Sequence, residues 1–349
     1  MDSVTQAALG AAVGGAIGGR QLGWRAFVWG AGLGTLPDMD VFIHYPDAVD
    51  QVTKHRGFSH SIFVLTALSP VLGLLIAKLH RWRFWGATLM AWLCLVTHPL
   101  LDCFTSYGTQ LFWPLASPPI AWSTIFIIDP LYTLPLLIGI GVSLWLLRRR
   151  QDSSALRPTY GGLLVSQLYL ALSVVLMLGA KSEATAELRR QGIEANTFLS
   201  PTPFNILSWR IVANHHDNTM IGYYSWLNPK TPVFVSYPNG HQLADAAQLD
   251  NLKRLDWFTQ GFYQLQEANG QLKFVDLRLG VEPYLPFRYI LAEHTTAGWQ
   301  AIPAVLLPAN PAGLELLPEL LQLIKGQAVA HSTQYAIDIP ATPAASNAP

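Results

Sequence analysis

His55, Arg56 and His60 lie together in HRGFSHS, just ahead of an uncharged apolar run at 61–77. Two imidazoles and a guanidinium at the mouth of such a run are costly to desolvate, so they ask for a partner. Similar residues stand at the ends of other apolar runs: Asp38 and Asp40 in LPDMD, His98 and Asp102 in THPLLD, Asp129 in FIIDPLY and Asp2 at the start of the chain. Carboxylate and neutral imidazole are the ligands of a hydrolytic metal centre. They suit Zn²⁺, and mixed sets also suit Mn²⁺ or Fe²⁺. His98 and Asp102 are four apart and share one face of a helix. A metal held there lowers the pKa of a coordinated water towards neutrality.

The elements that must position these residues are apolar. The chain has 349 residues, 51% hydrophobic and only 13% charged, with no net charge, which excludes a nucleic-acid binder that works by neutralising phosphates. The charge deficit is confined to one half: residues 1–180 hold eight acids, all Asp, and residues 181–349 hold fourteen. Runs 61–77, 84–101, 130–147 and 158–180 lack Asp, Glu, Lys and Arg for about the 17–25 residues that a bilayer crossing needs. Runs 3–19 and 26–37 are weaker and Gly/Ala-rich, with Gly10, Gly14 and Gly18 four apart, as are Gly30 and Gly34, a spacing that lets helix backbones approach closely. The expected fold is an α-helical multi-pass membrane protein of about six transmembrane or half-membrane helices, followed by a small soluble α+β domain.

Nine of the eleven basic residues in the first half fall in alternate loops: Arg20 and Arg25, then Lys78, Arg81 and Arg83, then Arg148, Arg149, Arg150 and Arg157. These loops are expected in the cytoplasm, with both chain ends outside. That topology delivers Asp or His from five separate segments to one outer face. Lys54 and Arg56 break the charge pattern, and both flank His55.

The expected domains are a membrane domain at 1–182, an extracytoplasmic α+β domain at 183–335 and a disordered tail at 336–349. In the second, YQLQEANGQLKFVDLRL pairs two alternating stretches across Asn269-Gly270, a hairpin signal, and 241–257 reads as a short amphipathic helix. His215, His216 and Asp217 in NHHDNT read as a surface loop, because neighbours in a strand point opposite ways. Cys94 and Cys103 form no readable disulfide framework, and the first residues lack the basic region of a cleaved signal peptide. No zinc-protease helix, nucleophile elbow or P-loop is present.

Taken together, MDSVTQAALGAAVG, GTLPDMDV, HRGFSHS, THPLLDCFTSYGTQ and IFIIDPLYTLPLL resemble the YdjM-like family of membrane-bound, predicted metal-dependent hydrolases over roughly residues 1–180. The later segment resembles the extension of its longer members. The resemblance places the polar positions of the family on Asp2, Asp38, Asp40, His55, His60, His98 and Asp102. Many members carry His where this chain has Gln6, a poor zinc ligand. The resulting expectation is an inner-membrane hydrolase of a lipid or lipid-linked phosphoester, its partner being membrane lipid. A metal-activated water attacks, Arg56 or Lys54 meets the anionic group, and Asp129 serves as base. The competing class is a non-enzymatic membrane protein: a structural ion site, a cation carrier, or an anchor for the outer domain. Under the anchor reading the membrane Asp and His residues are replaceable.

Overall fold

The computed structural model describes residues 1–149, 153–243, 249–281, 284–308 and 317–327. Asp2 starts α1 (Ser3–Leu22) by accepting from the backbone N–H groups of Val4 and Thr5. The chain reverses at Gly23, at a positive φ of 57°, into α2 (Trp24–Thr35). A 3₁₀ turn, Leu36–Phe42, leads to α3 (Ala48–Lys54), which Asp47 caps. A second 3₁₀ turn, Phe58–His60, leads into α4 (Ile62–His80). Then come α5 (Phe84–Asp102), an irregular stretch, α6 (Pro130–Arg149) and α7 (Arg157–Arg190).

Among the described residues, four helices are long and apolar enough to cross a membrane: α4, α5, α6 and the stretch Ser154–Arg190 that contains α7. The expected count of about six transmembrane or half-membrane helices is thus not confirmed; four meet this standard. The physical reason lies in the first hairpin. α2 has 12 residues, about 18 Å of helix, too short for a hydrocarbon core of about 30 Å. α1 is long enough, but it packs against α2, α5, α6 and α7 and buries most of its residues. A helix that faces protein has no need of a lipid-facing apolar surface, and Gly and Ala give it little hydropathy.

That hairpin depends on its glycines. A Cβ added at Gly30 would sit 2.2 Å from the Gly10 carbonyl oxygen, and one at Gly34 would sit 2.8 Å from the Gln6 carbonyl oxygen. Backbone atoms cannot give way as a flexible side chain would, so the close approach requires glycine at both positions. The gain is a tight seam that runs alongside α5, where the Cys94 thiol meets the Gly10 carbonyl.

The Asp- and His-bearing ends all meet at one end of the bundle. There Asp2 N–H donates to Ile127 O at 3.0 Å, Thr5 Oγ1 contacts Thr133 Oγ1 at 2.7 Å and Gln6 reaches Asp102 at 2.9 Å. The α1–α2 and α4–α5 turns, the end of α6 and the start of α7, with Arg20, Arg25, Lys78, Arg81, Arg83, Arg148, Arg149 and Arg157, lie at the other end. α7 has 34 residues, about 51 Å, so it outruns a bilayer and carries the chain above the site end.

Beyond it the chain forms two four-stranded antiparallel sheets, ordered β1-β2-β3-β4 and β5-β6-β7-β8. The first holds β1 (Asn196–Pro201), β2 (Ser208–His215), β3 (Asn218–Ser225) and β4 (Val235–Pro238). The second holds β5 (Tyr263–Ala268), β6 (Gln271–Asp276), β7 (Arg288–Thr295) and β8 (Gly298–Leu306). The Asn269-Gly270 turn closes β5 on β6 with both residues at positive φ, the conformation a two-residue hairpin requires. Two helices, α8 (Asp250–Thr259) and α9 (Leu317–Ile324), lie beside the sheets. The expected α+β domain is thus a two-sheet antiparallel β domain with minor helices. The expected disordered tail at 336–349 and part of the helix expected at 241–257 lie outside the described residues.

The two halves share a core. Val49, Val52 and Tyr107 of the membrane half pack with Leu252, Leu255 and Phe258. Polar ties reinforce it: Asn251 Nδ2 donates to Asp47 Oδ2 at 3.1 Å, Arg254 Nε to Thr53 Oγ1 at 3.0 Å and Gln260 Nε2 to Pro119 O at 2.8 Å.

The hairpin yields a test. Gly30→Ala should lower the thermal stability of the detergent-solubilised protein by roughly 1–3 kcal/mol, the usual cost of overpacking. Gly32→Ala, where an added Cβ meets nothing within 4 Å, should be neutral or slightly stabilising, by less than about 1 kcal/mol. Equal melting temperatures for the two variants would contradict the seam.

Candidate metal centre

Four side chains from three segments converge at the site end: Asp38 from the first 3₁₀ turn, His60 from the second, and His98 and Asp102 from the last turns of α5. One ligand atom of each lies within 4.8 Å of every other. Three of the residues are buried and Asp38 is half-buried. His60 Nε2 is 3.1 Å from His98 Nε2. Each of these nitrogens is also 3.3 Å from Asp38 Oδ1 and 3.3 Å from Asp102 Oδ2.

The outer hydrogen bonds fix which ring nitrogens carry hydrogen. His98 Nδ1 faces the Gly34 carbonyl at 2.5 Å, an acceptor, so Nδ1 donates and Nε2 of the neutral ring keeps a lone pair. Ser59 spends its single hydroxyl hydrogen on Asp40 Oδ2 at 2.7 Å and accepts from His60 Nδ1 at 2.9 Å, so Nε2 of His60 is likewise a lone pair. Asp102 Oδ2 is buried without a hydrogen-bond partner. Two imidazole lone pairs and two carboxylate oxygens thus face one another with no donor between them. A proton on one ring would form one short bond and leave the other contacts long. Five of the six edges are nearly equal, at 3.1–3.3 Å, and the sixth, between the Asp38 and Asp102 oxygens, is no longer than 4.8 Å. The donor set fits a divalent cation.

The surrounding groups hold the four in place. Asp102 Oδ1 accepts from Gln6 Nε2 at 2.9 Å and from the Met1 amino group, and Arg56 Nε lies 3.4 Å from Asp102 Oδ2. Four donors therefore converge without residue 6, whose amide orients Asp102 instead.

Other expected site residues have different positions. Asp40 and His55 pair with each other, Nδ1 to Oδ1 at 2.9 Å, beside the cluster. Burial alone would raise the Asp40 pKa; the His55 hydrogen bond and charge, with Ser59, bring it below its ordinary value. Asp2 does not join the cluster: it caps α1 and accepts from Thr5 Oγ1 at 2.5 Å. Asp129 sits at the start of α6. Its Oδ1 accepts from the N–H groups of Leu131 and Tyr132, and its Oδ2 accepts from Tyr169 at 2.8 Å. Burial raises its pKa more than these bonds lower it. Lys54 is exposed and pairs with Asp50 at 2.8 Å. His215 and His216 lie at the β2–β3 turn, outside the cluster, with ring centroids 4.2 Å apart and planes tilted by 60°.

Arg56 is buried, with a left-handed backbone at φ 58°, a strained conformation for a long side chain. Its N–H donates to Asp40 Oδ2 at 3.0 Å and its carbonyl accepts from Gln110 at 3.0 Å, which pins the turn. The guanidinium lies over the Tyr107 ring, 5.0 Å from the centroid, and donates to Thr105 Oγ1 at 3.2 Å. Sequence reasoning did not find Ser59, the Gly34 carbonyl or Tyr107. The first was in view inside HRGFSHS; the other two carry no local signal.

Fold and site together define a multi-pass membrane protein with a candidate divalent-metal centre at one end of its bundle. Residues 1–180 match the YdjM inner membrane protein family, and the chain belongs to it. It is similar to the inner membrane protein YbcI of Escherichia coli (strain K12), 33% identical over 115 residues, which span 32% of this chain and 64% of YbcI. It is also similar to the uncharacterized protein YfhP of Bacillus subtilis (strain 168), 29% identical over 110 residues, 30% of this chain and 33% of YfhP. Each match therefore spans less than two thirds of the relative. No solved structure matches the chain.

Metal analysis of purified protein tests the centre. His60→Ala and Asp102→Asn should lose bound metal. Gln6→Leu, which removes the N–H that orients Asp102, should weaken affinity by about 10–100-fold. Asp2→Ala should keep full metal content and lose about 1 kcal/mol of stability as a lost helix cap. Metal retained by both ligand variants would refute the assignment.

Proposed function

We propose that this protein is a metal-dependent hydrolase of a lipid or lipid-linked phosphoester, acting at the outer face of the inner membrane, with Zn²⁺ as the favoured ion and Mn²⁺ or Fe²⁺ as the other candidates. The observation that carries the reading is the acceptor-only cluster, together with His55 and Arg56 on the wall of an adjoining cavity of about 830 Å³. A divalent cation, when bound, supplies Lewis-acid polarisation and a water acidic enough to attack near neutral pH. The chain supplies the rest. Asp38, Asp102, His60 and His98 hold the ion. Arg56 is placed to pair with non-bridging phosphate oxygens, because a guanidinium donates in a fixed fork that matches them. Asp40 accepts from Nδ1 of His55, which leaves Nε2 for proton transfer. His55 then gives its proton to the alkoxide as the P–O ester bond breaks, and the proton of the attacking water passes to solvent. His55 thereby replaces Asp129 in the acid–base role.

The outer-face assignment rests on charge. Arg20, Arg25, Lys78, Arg81, Arg83, Arg148, Arg149 and Arg157 gather at the end opposite the site, and basic loops stay in the cytoplasm. The β domain then lies outside as well. Reporter fusions after Arg83 should read cytoplasmic, and fusions after Asp50 and Gly240 should read external; the reverse result would turn the site inward.

The chemistry is tested on a panel of lipid phosphoesters with metal-loaded protein. His55→Ala should keep metal and lower kcat by roughly 10²–10⁴-fold, the usual worth of a general acid. Arg56→Gln should keep metal and chiefly raise KM. Full metal binding with no turnover on any phosphoester would leave a structural ion site in place of an enzyme.

A further inference from the structure

We infer that the β domain forms half of the substrate site, and that the site takes a lipid with a doubly anionic head such as a diphosphate, whose chain enters sideways from the bilayer. This rests on the hydrolase reading above and adds the substrate class and the role of the second domain. The cavity of about 830 Å³ lies between the two halves, within the size range of small-ligand sites, roughly 300–1,000 Å³. His55, Arg56 and Tyr107 line it from the membrane half, and Leu285, Phe287 and Arg288 from the β domain.

Charge selects the head. Three arginines reach this mostly apolar wall. Arg278 is neutralised by Asp276, with contacts at 2.7 and 3.1 Å. Arg56 shares Asp102 with the metal cluster. Arg288 is 6% exposed and donates through Nη2 to Pro308 O at 2.6 Å, while its Nε is buried without a partner. Among the described residues no carboxylate pairs with it. A guanidinium buried without a counter-charge is destabilising unless an anion arrives. With Arg56 at the metal end and Arg288 on the β domain, the cavity presents two cationic contacts to one guest.

The mouth selects the tail. Ile127 and Ile128 line the cavity, are exposed, and directly precede the membrane helix α6, which sets them at the membrane surface. Phe204, exposed on the β domain, also lines it and packs on Phe126 with ring centroids 5.6 Å apart. An apolar rim at that height admits a hydrocarbon chain from lipid more readily than a soluble ester from water.

The test uses the full chain in zwitterionic nanodiscs and a non-hydrolysable probe, a dodecyl methylenebisphosphonate with a diazirine in its chain. Labelling should map to 126–128 and to the β domain near 204 and 285–288. Dodecyl monophosphonate should compete on the order of tenfold less well than the unlabelled bisphosphonate. Inorganic phosphate and a hexyl bisphosphonate should fail to compete. Arg288→Gln should abolish the preference for two anionic groups, and Arg288→Lys, which keeps the charge, should retain part of it, so that misfolding is told apart from a lost contact. Label confined to the membrane helices, effective competition by inorganic phosphate, or an undiminished preference in Arg288→Gln would each overturn the inference. Metal content is measured in parallel: a metal-free protein that still shows the Arg288-dependent labelling would end the hydrolase reading and leave the cavity assignment standing.

Discussion

The structure depends on one electrostatic constraint. Four lone-pair-bearing atoms, from Asp38, His60, His98 and Asp102, are brought to separations of 3.1–3.3 Å across five contacts with no hydrogen between them. Such a cluster repels itself unless positive charge sits inside it. The neighbouring groups do not relieve that repulsion; they enforce it. Gly34 and Ser59 turn each imidazole so that its lone pair faces inward. Gln6 occupies the outer oxygen of Asp102 and leaves the inner one bare. Outer partners of this kind orient ligands and raise their basicity. A buried polar cluster kept only for folding would be expected to pair its donors with its acceptors.

The glycine seam is the architectural counterpart of that constraint. His98 needs the Gly34 carbonyl at hydrogen-bond distance, and Gly34 reaches it only because α2 lies directly on α1. The same approach sets the start of the turn that carries Asp38 and Asp40. A bulkier residue at Gly10 or Gly30 would move the whole of α2, so its effect would be felt at the metal ligands as well as in packing. The hairpin's low hydropathy and its closeness to the site have one cause: it is enclosed by α5, α6 and α7 and shaped to hold a turn, where a lipid-facing helix would be shaped to meet the bilayer.

How much of this the sequence revealed follows from which signals are local. The apolar runs of α4 to α7 are legible because lipid imposes length and composition directly. The placement of Asp38, His60, His98 and Asp102 on one face is legible because alternate ends of successive spans share a face. Ligand and orienting residue are not distinguishable that way. Asp40 and His55 carry the same chemistry as the cluster and differ from it only in direction, which a strained turn at Arg56 decides. Asp2 looks like a ligand in sequence and Asp129 like a base, yet each precedes a helix whose first N–H groups need an acceptor. That ordinary capping demand is satisfied first. The sheets of the second half were visible through the Asn269-Gly270 turn, but their contact with the membrane half was not, because no sequence pattern marks which surface two distant segments share.

That contact bears on whether the first half is an anchor or a site. An anchor needs only spans and a linker, and its outer loops can be indifferent to what they carry. Here α3, the segment between Asp40 and His55, is fixed by the β domain: Asp47 accepts from Asn251, Thr53 from Arg254, and Val49 and Val52 enter the core of α8. The ends of that segment are the Asp40–His55 pair, and Arg56 follows at once, over the Tyr107 ring that also packs on Phe258 and Phe287. Displacing the β domain would therefore loosen the Asp40–His55 pair and Arg56 while leaving His98 and Asp102 rooted in α5. The four cluster residues belong to the first half, and His55 and Arg56 are held by both halves. A chain that merely tethered its outer domain would have no reason to place the junction there.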